Sequence, residues 1–199
     1  MRLDAHLFGR SLLGWLAELA LISAGVFLAL LADQWREGRE HQQLAATALR
    51  NFVEEIRVNQ KAVADVRAYH DRLPAAIEAF IAAEGPKTME RFQQVTRFQG
   101  VQPVVFEHTA WDLALATQAL SYVDPKLAYA ISRVYTQQQT FQLYENNFAL
   151  GMFSPTAFVN EDTTALARAM QLYLVDVNIQ EPRLLKAYED VLPRIAVTP

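Results

Sequence analysis

Residues 11–32 read SLLGWLAELALISAGVFLALLA, and this stretch decides the architecture of the chain. It is apolar except for its two serines and Glu18. As a helix it would be about 33 Å long, enough to cross a hydrocarbon core of about 30 Å. Trp15 and Trp35 lie near its two ends, where aromatic side chains favour the membrane interfaces. The sequence therefore predicts one transmembrane helix.

Two other interpretations of this stretch are weaker. A cleaved signal peptide needs small residues before the cut, and Leu30 occupies one of these positions for cleavage after Ala32. A buried core helix seldom has an apolar surface around nearly its whole circumference over about 22 residues. Both comparisons favour a retained membrane anchor.

The predicted organisation has three parts: a tail over 1–10, a transmembrane helix over 11–35 and a helical-bundle domain over 36–199. The tail carries Arg2, Arg10 and the amino terminus, and positive charge favours the cytoplasmic side, while Arg36 and Arg39 on the far side make the contrast small. A short tail followed by an anchor and a large C-terminal body is typical of a signal-anchor with the body outside. We therefore expect a bacterial inner-membrane protein whose C-terminal body is periplasmic.

One stripe of the predicted transmembrane helix is small or polar. Gly14, Glu18, Gly25 and Ala29 fall on it at helical spacing, whereas larger side chains lie on the other faces. A small-xxx-small pair such as Gly25 and Ala29 lets a second helix approach closely. The stripe predicts a helix contact with a copy of the chain or with another membrane protein.

Glu18 is the one ionisable residue inside the predicted span. Ionisable groups in membranes usually face protein or water, which favours a contact between Glu18 and a partner helix. The alternative is that Glu18 lies close enough to the interface to reach the lipid headgroups by itself.

The segment after the anchor predicts a stiff helix with an apolar seam. Seam positions recur in steps of three and four, as in coiled coils, and two of them are polar. We expect Asn59 and His70 to be hydrogen-bonded core residues, with Asn59 fixing helix register. The seam comprises Ala45, Ala48, Phe52, Ile56, Asn59, Val63, Val66, His70 and Leu73.

The remaining pattern predicts an all-α bundle of four to five helices. Pro74 is expected to break the first helix, and 100–106 is expected to be an extended connection. Thr109 and Asp124 look like N-caps, the latter followed by Pro125. Two long helices follow, one to about residue 150 and one from Asp162 or Thr163, kinked at Pro182.

The composition and motifs indicate no enzyme. The formal net charge is −4 with no basic stripe, which argues against nucleic acid as a partner. Without cysteine there is no thiolate chemistry. The four histidines form no metal-binding motif, and no nucleophile or phosphate-loop motif is present. We expect no catalytic residue, no metal and no cofactor.

Two polar groups in the body require an interpretation. Glu107 and His108 could line a cleft beside Trp111, although packing of Trp111 into the bundle is the simpler expectation. The run at 137–139 (QQQ) is expected to be a polar helix face rather than a binding site.

The N-terminal residues resemble the signature of a bacterial family of uncharacterised single-pass membrane proteins. The resemblance implies a membrane anchor followed by a helical body, with no activity to carry over. This chain has Gln34 and Arg36 beside Trp35, where the family often has asparagines. The matching residues are Glu18, Gly25, Val26, Ala29, Leu30, Asp33, Trp35 and Glu37, then Leu49, Glu54, Glu55, Ile56 and Asn59, and more loosely Thr109, Ala110, Trp111, Asp124, Leu127 and Tyr135.

The predicted function is that of a non-enzymatic, membrane-anchored helical protein. Membrane lipid is one expected partner. The helix stripe and the seam over 45–73, with Asn59 as a helix-contact residue, would bind further copies of the chain or a larger membrane complex. One alternative is a periplasmic sensor that holds a small apolar ligand near Trp111 and Phe141. Another is a pore lined by Glu18.

Overall fold

The computed structural model describes residues 12–152 and 162–196. In this part of the chain the protein is all-α, as the sequence predicts, with five α-helices, one short 3₁₀ turn and no strand. Ser11, the predicted tail and the predicted connection around Ser154 lie outside the described residues. The helices are α1 (Leu12–Ala82), α2 (Met89–Thr96), α3 (Thr109–Ala116), α4 (Pro125–Met152) and α5 (Thr164–Ala196), with the 3₁₀ turn at Ala119–Tyr122.

The chain forms two compact units whose boundary falls between Leu44 and Ala45, and α1 contributes to both. In the first unit α1 is long and apolar enough to span a membrane. Its most apolar 18-residue window has a mean hydropathy of 2.1, and none of that window is buried.

The second unit has its own apolar core. On α1 the predicted seam is buried from Ala45 to Leu73, except that Val66 is half-buried. Apolar faces of α4 and α5 are also in the core, with Ile131 and Val177 fully buried. These three helices bury their apolar stripes against one another, which is the principal source of stability in a helical bundle.

Pro74 does not break α1, so this prediction is wrong. The helix continues to Ala82 with Pro74 inside it. A proline has no N–H, so the carbonyl of His70 loses its helical donor. Asn178 on α5 donates its side-chain Nδ2–H to that carbonyl at 3.5 Å, which partly replaces the lost bond.

The helix starts agree with the sequence in one case and differ in another. Asp124 accepts the N–H groups of Lys126 and Leu127, both at 3.0 Å, as an N-cap should. At α3, however, His108 occupies the cap position and Thr109 is the first helical residue. Helix α5 includes Pro182, and its predicted kink stays a prediction.

The segment 97–108 has no regular secondary structure, as expected for the extended connection. It contains three residues with positive φ, namely Arg97 at 52°, Gly100 at 97° and Gln102 at 50°. Only glycine adopts such angles without strain, so the other two must be held by their surroundings.

Candidate functional site

The apolar part of α1 presents the predicted stripe in full. At about 100° per residue, Gly14, Glu18, Gly25 and Ala29 fall within an arc of about 60°. All four are exposed. A Cβ atom added at Gly25 would meet nothing within 4 Å in the described part of the chain, so a second helix has room to approach there.

The apolar side chains on this segment are large and unburied. Trp15 is 61 % exposed and Trp35 is 66 % exposed, and the aliphatic residues between them are similar. Just beyond the apolar run Arg36 forms an ion pair with Asp33 at 2.8 Å, and Arg39 lies over the Trp35 ring. This cluster of charged residues beside a tryptophan is typical of a membrane interface.

In the second unit, polar side chains hold the segment 97–108 in place. Asn59 is 1 % exposed, and its amide binds both backbone groups of Glu107, donating to the carbonyl and accepting from the N–H, each at 2.8 Å. Tyr69 donates its hydroxyl to the Gly100 carbonyl at 2.6 Å. These bonds satisfy backbone groups that no neighbouring strand satisfies.

Asn59 is therefore a buried, hydrogen-bonded core residue, as expected. Its partner is the backbone of the same chain rather than a second helix seam. It orients the connection between Phe106 and His108. Because the seam around it is buried within the second unit, Asn59 is not part of the surface proposed to contact another helix.

Two carboxylates and a histidine complete this set of contacts. Glu145 accepts the Val104 N–H with both oxygens, at 3.1 and 3.2 Å. His70 donates from Nε2 to the Val101 carbonyl at 2.9 Å, and its Nδ1 lies 2.6 Å from Glu181. All three ionisable side chains are almost completely buried.

Burial determines the electrostatics of this group. It raises the pKa of Glu145 to about 7, although the Val104 N–H and the nearby His70 favour the carboxylate. Burial alone would lower the pKa of His70, but its bonds to Glu181 and Val101 outweigh that effect and raise the pKa. The group can thus exchange a proton near neutral pH.

Glu55 connects α1 to α3 and α4. It is 6 % exposed, accepts the Ala110 N–H at 2.7 Å and accepts the Tyr135 hydroxyl at 2.7 Å. Burial of that hydroxyl, followed by its bond to Glu55, raises the pKa of Tyr135. Glu55 therefore fixes both the start of α3 and the ring of Tyr135.

A cavity of about 360 Å³ lies beside these residues. His108 and Trp111 line it and Glu107 does not, so only part of the suggested cleft is present. Trp111 also packs against Tyr135, with ring centres 5.0 Å apart. Gln138 is 2 % exposed, which makes the prediction of a solvated face at 137–139 wrong for its central residue. The other lining residues include Phe106, Asp112, Thr136, Gln139 and Gln142.

No group of three or more metal-binding side chains occurs among the residues that the structure describes. Comparison with known proteins finds no matching family model, no matching curated protein and no matching solved structure. The resemblance of the N-terminal residues to an uncharacterised membrane family stays a prediction.

Sequence reasoning missed the roles of Glu145, Glu181 and Glu55. Glu181 binds His70 across 111 positions of sequence, and no periodic pattern reports such a pairing. One local signal was available: each of these acids occupies an inward-facing helix position, and an acid on a buried face needs a partner.

Replacing Asn59 with leucine should lower the free energy of unfolding by about 2–4 kcal/mol, because both backbone groups of Glu107 lose their partner. Thermal or chemical denaturation in detergent measures this loss. Asn147→Leu on the exposed face of α4 is the matched control and should change stability by less than about 0.5 kcal/mol. Equal effects of the two variants would contradict the role of Asn59.

The raised pKa of Glu145 predicts that stability falls as pH rises from about 4.5 to about 7, because the folded chain binds more protons than the unfolded chain in that interval. Moving this pKa from 4.5 to about 7 corresponds to about 3 kcal/mol. The raised pKa of His70 adds a decline in the same direction above pH 6.5.

Glu145→Gln keeps an acceptor for Val104 and removes this titration. Denaturation at about pH 5 and about pH 7 should therefore show a flatter dependence than in the wild type. Glu189→Gln, at an exposed position on α5, should leave the dependence unchanged. A Glu145→Gln profile as steep as that of the wild type would refute the assignment.

Proposed function

We propose that this chain is a non-enzymatic, membrane-anchored helical protein that associates laterally through the stripe on its transmembrane helix. The observation that carries the proposal is that α1 exposes a long apolar segment while the second unit has a core of its own. The proposed partner is a second copy of the chain or a subunit of a larger bacterial inner-membrane complex.

The energetics of the apolar segment support anchoring. Eleven large hydrophobic side chains from Trp15 to Trp35 are each 45–75 % exposed. Removing one such side chain from water contributes about 1.5–3 kcal/mol, so their transfer into lipid contributes on the order of 10 kcal/mol or more. The chain would otherwise display an apolar patch far larger than soluble monomers carry.

The stripe supports association rather than simple anchoring. Between membrane helices the hydrophobic effect gives little attraction, because lipid tails are as apolar as leucine. Close backbone approach then contributes most, and it needs small residues such as Gly14, Gly25 and Ala29. Glu18 lies on the same arc, where a contact with a neighbouring helix costs less than exposure to acyl chains.

The charges flanking the apolar segment support a periplasmic body. Arg2, Arg10 and the amino terminus precede the segment and favour the cytoplasmic side. Arg36 and Arg39 follow the segment, so the proposal rests on a short positively charged tail before the anchor and a large body after it.

Cysteine crosslinking tests the association directly, because the chain has no cysteine of its own. Oxidation in native membranes should crosslink Gly25→Cys and Ala29→Cys severalfold more than Phe27→Cys and Leu31→Cys, which lie on other faces of the helix. If the neighbour is a different protein, a photoreactive residue at 29 should capture it in place of a copy. Equal yields from all faces, or no product by either chemistry, would refute the proposal.

A further inference from the structure

We propose that the cavity beside Trp111 binds a saccharide, that is, a neutral ring with an apolar face and hydroxyl groups around its edge. The proposal concerns the second unit and is independent of helix association. It differs from the apolar ligand that the sequence suggests, because much of the cavity lining is polar.

The cavity has an aromatic wall. Trp111 is half-buried and is stacked on Tyr135 with an angle of 24° between the ring planes, while Phe106 is buried beside them. A wall of aromatic rings accepts the C–H face of a sugar, which is apolar, and removes that face from water. This contact is largely independent of the identity of the sugar.

Gln138 offers a hydrogen-bonding position that the protein itself does not fill. Its Nε2 lies 3.0 Å from the Tyr188 hydroxyl, but its Oε1 has no hydrogen-bond partner among the described residues. If the oxygen and nitrogen of the Gln138 amide were exchanged, the Tyr188 hydroxyl would donate to Oε1, because a hydroxyl can donate or accept. Nε2 would then be the atom without a hydrogen-bond partner. A buried amide atom without a partner is costly, and because this atom is shielded from solvent, a ligand hydroxyl satisfies it once the Gln138 side chain turns toward the cavity.

The charge of the lining favours a neutral ligand. Its one carboxylate, Asp112, lies 2.6 Å from the imidazole of His108. The amides of Gln139 and Gln142 each donate and accept, as ring hydroxyl groups do. A phosphate would find no cationic cluster in this lining.

Two buried residues of α1 hold the walls in position before any ligand arrives. Glu55 binds the Tyr135 hydroxyl and the Ala110 N–H, one residue before Trp111. Asn59 binds Glu107, between the lining residues Phe106 and His108. A preformed site spends less binding energy on ordering its own side chains.

Tryptophan fluorescence tests the proposal on the full chain. Trp15→Phe and Trp35→Phe make Trp111 the sole tryptophan, and a detergent without a sugar headgroup avoids competition. Glucose and N-acetylglucosamine are the probes. We expect a saturable change in Trp111 emission with a Kd of about 1 mM for at least one of them.

Gln142→Met in this background should weaken binding about five- to tenfold, because one ligand hydroxyl loses its partner. The matched control is Gln137→Met, since Gln137 lines a different cleft between α4 and α5 and should leave the Kd unchanged. The double variant Gln138→Met with Tyr188→Phe removes both partners of one buried hydrogen bond, so neither polar group is left unpaired and the chain should still fold. It should also abolish the change in Trp111 emission.

Three results would overturn the assignment. The first is no saturable change with either sugar. The second is a change that the Gln138 and Tyr188 pair leaves intact. The third is a tighter saturable response to tetramethylammonium or to inorganic phosphate, which would assign the cavity to a charged ligand instead.

Discussion

The constraint on which this structure depends is that the apolar side chains near the start of α1 must leave water. No part of the most apolar window is buried, so the described part of the chain does not cover it. A bilayer is the solvent proposed for this segment, because a helix pairs the backbone N–H and C=O groups along its length. The narrow stripe from Gly14 to Ala29 is the exception on that surface, and it is the surface proposed to contact a protein neighbour.

The second unit obeys a different constraint, which concerns backbone polar groups. A connection of a dozen residues without a strand partner would leave N–H and C=O groups unpaired inside the protein. Asn59, Tyr69, His70 and Glu145 provide those partners from α1 and α4. The cost is the burial of ionisable groups, and the raised pKa of Glu145 reflects it.

The same buried contacts link the core to the cavity. Glu55, on the inward face of α1, accepts the Tyr135 hydroxyl and so fixes the position of that ring. Asn59 accepts the N–H of Glu107 and so fixes the backbone next to His108. The polar residues on the inward face of α1 therefore have a structural role of their own. They allow a helical bundle to hold an irregular segment in one conformation, which a binding site requires.

Much of the fold could be predicted from local sequence, because helix periodicity and caps are local properties. Hydropathy located the apolar segment, the three-four spacing located the seam, and Asp124 with Pro125 located the start of α4. Pro74 was misjudged because its cost is partly offset by Asn178, a residue far away in sequence.

The candidate site was less predictable for the same reason. Trp111 and His108 could be proposed as lining residues from their proximity in sequence. The pairing of His70 with Glu181 and the unfilled amide of Gln138 depend on which helix faces lie together, and a single sequence does not contain that information.

The central claim, that lipid covers the apolar segment of α1, is tested most directly by extraction of the full chain from membranes. An N-terminal tag reports whether the segment is retained. We predict that the tagged, uncleaved chain stays with the membranes through alkaline carbonate and urea and is released only by detergent. Recovery of the uncleaved chain in the soluble fraction would contradict the account, and so would a mature chain that has lost both the tag and the segment.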